Sequence, residues 1–165
     1  MNETSRTALI TGASSGIGAA FADVFASHGF DLVIAARRED RLREVATRLE
    51  GSTGRRVHVV ACDLSRTDAP ADLCREIASR GLTIDALVNN AGYGVSGTYL
   101  ASPWERHEAM LQVMIGSMTE LTYRLLPGMI KRRYGRVINV ASLAGLVPAP
   151  AGHTPYAATK GLAMK

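Results

Sequence analysis

Two side chains near the C-terminal end of this 165-residue chain are typed and spaced for proton transfer, Tyr156 and Lys160. Residues four apart stand one above the other on a helix. An ammonium one turn from a phenol favours the phenolate, so the pair can give and take a proton in carbonyl chemistry. At the other end, Thr11-Gly12-Ala13-Ser14-Ser15-Gly16-Ile17-Gly18 has the composition of a phosphate-binding loop. Gly12 permits a sharp turn, Gly16 lets the backbone approach a pyrophosphate, and Gly18 lets helix and strand pack closely. The helix that opens there offers free amides and the positive end of its dipole. The spacing is G-x-x-x-G-x-G rather than the commoner G-x-G-x-x-G, but it falls between a strand and a helix, the context a dinucleotide site requires. The third feature is Ala35-Ala36-Arg37-Arg38. A carboxylate at the end of the second strand would bind the ribose hydroxyls of NAD, whereas a guanidinium fork matches the 2′-phosphate of NADP. Arginine at a helix start opposes the dipole unless an anion joins it. NADP is therefore the expected cofactor, with Arg37 as the main contact and Arg38 second. The bland alternative is two solvated arginines.

The elements that must position these groups alternate along the chain. Strands are predicted over residues 7–10, 31–35, 57–61, 86–89 and 136–141. Helices are predicted over 16–28, 38–50 and 68–80, closed by Gly29, Gly51 and Gly81. A longer helix runs to about residue 133, with Ser102 as N-cap, Pro103 as first residue, Glu105 as capping-box partner and a bend at Pro127. A last helix starts at Thr154 or Pro155. This alternation predicts an α/β fold with a parallel sheet and helices on both faces, in one domain spanning 1–165. The strands are apolar throughout, as strands buried on both sides are.

Composition narrows the function. The chain is 47% hydrophobic and 21% charged, which suits a globular domain with a real core. Net charge is +4, but the basic residues are scattered and no basic stripe interleaves with aromatics, which argues against nucleic acid as partner. Only Lys131, Lys160 and Lys165 are lysines. Cys62 and Cys74 have no metal spacing and read as free buried thiols in a reducing compartment. His28, His58, His107 and His153 are not clustered, so no metal site is expected. Residues 1–6 are polar and no apolar run approaches a membrane span, so a cytoplasmic protein without membrane contact is expected. Trp104 reads as a packing anchor.

Taken in order, the motifs resemble the short-chain dehydrogenase/reductase family. They are the loop at 11–18, Asp63-Leu64 after the third strand, Asn89-Asn90-Ala91-Gly92 after the fourth, Asn139-Val140-Ala141-Ser142, and Tyr156-x-x-x-Lys160. The resemblance covers residues 7–165 and implies a Rossmann-type doubly wound sheet. It implies that Gly12, Ser14, Ser15, Gly16, Ile17 and Gly18 cradle the cofactor, that Asp63 and Leu64 hold the adenine, and that Asn90, Ala91 and Gly92 line it beside the ribose. It further implies that Ser142 binds the substrate oxygen, Tyr156 handles the proton, and Lys160 binds the nicotinamide ribose. The implied activity is hydride transfer between NADP(H) and a small carbonyl or alcohol substrate, by an enzyme that would be a homo-oligomer in its full-length form.

The chain departs from the family pattern in two ways. Where the family carries an asparagine that completes a proton relay with the lysine, Val113-Met114-Ile115 places Met114, a weak acceptor with no donor. The family also continues past Lys160 with the rest of the helix, further strands and a substrate loop. The expectation is a shortened chain, or a portion of a longer one, that lacks those last strands. The fifth strand would then present an apolar edge of Val137, Ile138 and Val140. Both departures leave room for a non-catalytic dinucleotide binder, a redox sensor or interaction module. His153, in the loop before Tyr156 that also carries prolines at 148–150, is open to a substrate contact or to plain solvation.

Overall fold

The computed structural model describes residues 5–149 and 152–165. Part of the polar N-terminal stretch and part of the 148–150 proline loop lie outside the described residues. Five parallel strands form one sheet in the order β3-β2-β1-β4-β5. They are β1 (Thr7–Thr11), β2 (Asp31–Ala36), β3 (Val57–Ala61), β4 (Ala86–Asn89) and β5 (Arg136–Asn139). In register, Leu9 stands beside Val33 on one side and Leu87 on the other. The order reverses between β1 and β4, so a crevice opens beyond the C-terminal ends of those two strands.

Helices cover both faces. On one lie α1 (Gly16–Ser27) and α2 (Glu39–Thr53), whose Ala22, Ala26, Leu42 and Leu49 pack on Ala8, Ile10, Leu32 and Ile34. On the other lie α3 (Ala69–Ser79), α4 (Trp104–Leu111) and α5 (Ser117–Lys131), whose Leu73, Ile77, Met110 and Leu121 pack on Leu9, Val33 and Leu87. Period-two alternation sends successive residues of β1 into different cores, which is why its whole length is apolar and buried. β5 is the sheet edge and its Val137 is 37% exposed, as the apolar-edge expectation had it. The last helix, α6 (Tyr156–Leu162), packs on the turn that follows Ser142.

Several local expectations are corrected. α2 runs through Gly51 and ends at Gly54, whose φ of +67° is the left-handed conformation that closes the helix, its N–H donating to the Glu50 carbonyl. Ser102 is not a cap: it is extended, Pro103 occupies the N-cap position, and no side chain caps α4. The long helix is broken by a π turn at Gln112–Gly116 rather than marked at Pro127, which lies inside α5. The buried Ser117 hydroxyl has the Leu64 carbonyl at 2.8 Å and the Gln112 carbonyl, five residues back, at 3.0 Å, and its one proton is shared between them, an arrangement that fits the wider turn. β5 stops at Asn139, two residues short, and α6 starts at Tyr156. Trp104 is half exposed, not an anchor, and both thiols are only half-buried.

Candidate active site

The crevice is built first by hydrogen bonds between the ends of β1 and β4. Thr11 Oγ1 donates to the Val88 carbonyl (3.2 Å) and accepts from the Asn90 and Ala91 amides (3.0 Å each). The Asn90 side-chain amide donates to the carbonyls of Thr11 (2.9 Å) and Gly12 (3.3 Å). Its Nδ2 is therefore committed to the glycine loop. A methyl group at Gly12 would lie 2.8 Å from that same Nδ2, and one at Gly18 would overlap the Gly12 carbonyl oxygen. Gly16, by contrast, has φ +57° and open space where a Cβ would sit. The loop is tight where it packs and bare where a ligand would approach.

Above it, the first turn of α1 has no acidic residue and its N-cap, Ser15, makes no side-chain cap, so the first amides remain free for an anion. Arg38 reaches 24 residues back along the chain, donating from Nη2 to Ser14 Oγ (3.1 Å) and Ser15 Oγ (3.0 Å). A cleft of about 220 Å³ is walled by Gly12, Ser14 and Ser15, by Arg37 and Arg38, and by Asp63 and Leu64, with Ala91 and Gly92 at its inner end. Asp63 accepts from the Ser65 amide and hydroxyl (3.1 and 2.8 Å). Burial opposes its ionisation, but those bonds and the Arg37 charge outweigh it and hold the carboxyl below its usual range. Cys62 also lines the cleft; burial pushes its thiol up to about 11, which makes it a poor nucleophile. The bare approach at Gly16 and the free amides fit a dinucleotide's pyrophosphate, and Arg37 and Arg38 stand on the same cleft.

The groups typed for proton transfer sit at the other end of the crevice. Ser142 caps a 3₁₀ turn (Leu143–Gly145), its Oγ accepting from the Ala144 amide at 3.2 Å. That bond uses a lone pair and leaves the hydroxyl proton free to donate. The turn abuts α6 closely: a Cβ at Gly145 would lie 2.6 Å from the Gly161 nitrogen and from the Lys160 carbonyl carbon. Tyr156 is half-buried, its ring facing Gly94. Lys160 is buried, and its Nζ donates to the Val140 carbonyl at 2.6 Å, just past the end of β5 on the stretch that leads to Ser142. The same Nζ is 6.0 Å from the Tyr156 ring centroid. Burial holds its ammonium below the ordinary lysine range. Met114 packs beneath, its sulfur 3.7 Å from the Thr159 hydroxyl and its side chain against Gly92.

Three residues carry more of this arrangement than their sequence context revealed. Thr11 ties the two strand ends together, Gly145 sets the distance between the Ser142 turn and α6, and Asn89 bonds β5 and α5 through Thr122 and Asn139. Thr11 and Asn89 had a signal, as the first residues of the glycine motif and of Asn89-Asn90-Ala91-Gly92; Gly145 had none. His153, one of the open candidates, is exposed and pairs through its backbone with Thr98. Among the described residues no group of His, Cys, Asp and Glu could hold a metal ion, and no helix is long and apolar enough to cross a membrane.

Against known proteins, the family model for short chain dehydrogenases matches residues 6–165. The oxidoreductase UcpA of Salmonella typhimurium is 37% identical over 160 residues, 95% of this chain and 59% of that protein. Among solved structures, the short-chain dehydrogenase from Sphingobium yanoikuyae in complex with NADPH superposes with a TM-score of 0.88 at 34% identity, over 96% of this chain and 61% of that one. L-Sorbose reductase from Gluconobacter frateurii, complexed with NADPH and L-sorbose, gives 0.88 at 34% identity over 97% and 60%. The chain spans 60%, 52% and 59% of the length of three curated relatives it matches.

Proposed function

Because the chain belongs to the short-chain dehydrogenase family, we propose that it is an NADP(H)-dependent oxidoreductase acting on a small carbonyl or alcohol substrate. One observation carries the reading: Lys160 is buried one helical turn from Tyr156, anchored to Val140, on a helix packed against the turn that presents Ser142. A buried ammonium is costly to keep, and a purely structural site has no need of one beside a phenol and a free hydroxyl donor. When bound, the nicotinamide would supply or take up the hydride.

The chain's own groups do the rest. Ser142, oriented by the Ala144 amide, donates to the substrate oxygen where negative charge develops. Tyr156 gives a proton to that oxygen in reduction and removes it in oxidation. Lys160 favours the ionised phenol and offers N–H donors toward the ribose. The glycine loop and the α1 amides receive the pyrophosphate, and Gly16 leaves room for it. Arg37 and Arg38 favour a 2′-phosphate over bare ribose hydroxyls, since no carboxylate stands at the end of β2. Asp63 and Leu64 bound the adenine end, and Ala91 and Gly92 the ribose beyond it. The NADPH bound in two solved relatives supports this cofactor. The chain acts as one dinucleotide-binding domain, and a full-length form would work as a homo-oligomer.

Titrating NADPH against NADH tests the cofactor. Alanine at both Arg37 and Arg38 should weaken NADPH at least tenfold and leave NADH within about twofold, since each charge-assisted contact is worth about 1.5–3 kcal/mol. Equal losses for both cofactors would reject the arginine assignment. Cofactor oxidation with a panel of ketones and aldehydes tests the chemistry: Tyr156→Phe should abolish turnover and spare NADPH binding. Met114 favours a second reading, a dinucleotide binder without catalysis, because its thioether puts no donor beside Lys160. That reading predicts NADPH binding with no turnover of any panel member.

A further inference from the structure

His107, on α4, is 2% exposed and is not among the residues that wall the cofactor cleft. Its Nε2 lies 2.9 Å from the Tyr99 carbonyl, and its ring tilts against the Tyr99 ring with centroids 4.8 Å apart. A carbonyl only accepts, so Nε2 carries the proton and donates it. The other ring nitrogen, Nδ1, is buried with no partner. Burying a bare polar nitrogen opposes folding, and an apolar side chain here would avoid it. The bond to Tyr99 is what the imidazole adds in exchange. The ring is also a fixed point: one turn along the same helix face, Met110 is wholly buried in the core beneath the sheet.

Tyr99 lies on the segment 93–101, which leaves the crevice after Gly92. Its backbone is held from both sides. Its carbonyl accepts from His107, and its N–H donates to the Gly152 carbonyl at 2.6 Å. Beside it, Thr98 pairs with His153 in an antiparallel bridge. Gly152 and His153 belong to the stretch that enters α6 at Tyr156. Earlier on the same segment Gly94 faces the Tyr156 ring, where a Cβ would lie 3.8 Å from the ring carbon Cδ2. The segment therefore meets both the phenol and the stretch of chain that delivers it.

We infer that His107 is a positioning residue for Tyr156, acting through Tyr99 and Gly152. The imidazole fixes the Tyr99 carbonyl to the core, the Tyr99 amide fixes Gly152, and Gly152 sets where α6 begins. Core packing does little of this, because Leu146, Val147 and His153 on the stretch between the Ser142 turn and α6 are exposed. The inference rests on the reading of Tyr156 as the group that handles the proton.

Two variants separate the donor from the bulk of the ring. His107→Leu keeps a similar volume and removes the N–H, whereas His107→Gln places an amide nitrogen near the position of Nε2. Amide exchange, followed by NMR on the whole chain, reads the clamp without any substrate. The Tyr99 amide should be protected in the parent, exchange about tenfold faster in His107→Leu, and return to within about threefold of the parent in His107→Gln. Turnover of an accepted carbonyl should follow the same order, about tenfold lower in the leucine variant and within about threefold of the parent in the glutamine variant. The dissociation constant for NADPH should stay within about twofold in both, since the cleft is walled by other residues. If the leucine variant does not fold, His107→Asn, whose amide is too short to reach Tyr99, takes its place. A Tyr99 amide that exchanges in the parent like an unbonded loop amide overturns the inference, and so do donor-lacking and glutamine variants that behave alike. A parent that turns over no carbonyl rejects the reductase reading instead, and the exchange comparison still decides whether His107 holds Tyr99.

Discussion

Replacing Gly145 by alanine should cripple the site while leaving the cofactor cleft intact. The added Cβ would stand 2.6 Å from the Gly161 nitrogen and the Lys160 carbonyl carbon. Both are backbone atoms, so no side chain can swing away. Ordinary contact begins near 3.4 Å, and the turn and α6 must separate by about 0.8 Å to reach it. Overpacking of that size costs about 1–3 kcal/mol, which lowers Tm by roughly 2–4 °C per kcal/mol in a chain of this length. The catalytic consequence is larger. The shift moves Tyr156 and Lys160 away from Ser142, and misplacement approaching 1 Å can cost on the order of 100-fold in rate. Turnover on an accepted carbonyl substrate should fall about 10- to 100-fold, with the dissociation constant for NADPH, read by fluorescence titration, within about twofold of the parent. Gly161→Ala is the matched control on the opposing surface. Its Cβ would meet the Gly145 oxygen at 3.5 Å, an ordinary contact, and alanine gains up to about 1 kcal/mol of helix propensity. That variant should be neutral or slightly more stable. Equal behaviour of the two, or full turnover in Gly145→Ala, would refute the claim that this contact sets the site's geometry.

Three further outcomes follow from the same structure. Thr11→Val keeps the shape but leaves the part-buried Asn90 and Ala91 amides without their acceptor, so stability to urea should fall by about 1–3 kcal/mol and NADPH binding should weaken with it. Asp31 receives two bonds from the Arg56 side chain and one from its backbone; burial opposes its charge, yet those bonds hold its carboxyl below the usual range. The contribution is therefore present above the unfolded carboxylate value and lost as pH falls through the lowered folded one, so Asp31→Asn should destabilise at pH 7 and flatten the loss of stability seen below pH 4 in thermal melts. Met114→Asn places an amide beside Lys160 and should raise the turnover number; an unchanged or lower rate would show that the thioether leaves no gap in proton delivery.

The strand and helix alternation was legible because each segment is governed by its own residues. β1, β2 and β4 lie where short apolar runs placed them, and the glycine loop falls between strand and helix as its spacing required. Helix ends were less legible. Gly51 looked like a stop, but it sits comfortably inside α2, and nothing in composition distinguishes it from Gly54 three residues on. The cap expected at Ser102 failed because the helix start is set by the extended conformation at Pro103, and the π turn depends on Ser117 finding the Leu64 carbonyl across the fold. Arg38 rather than Arg37 bonds the loop serines, a choice fixed by the direction the chain takes as it leaves β2.

The sequence by itself determined the parallel α/β order, the glycine loop and the pairing of Tyr156 with Lys160, since these rest on local periodicity and on spacing within one element. Only the tertiary structure decided that Asn90 and Thr11 lock two strand ends together and that Gly145 sets the approach of α6. Those facts join residues up to 80 positions apart, as Thr11 and Ala91 are, and such neighbours exist only once the sheet is assembled and both of its faces are covered.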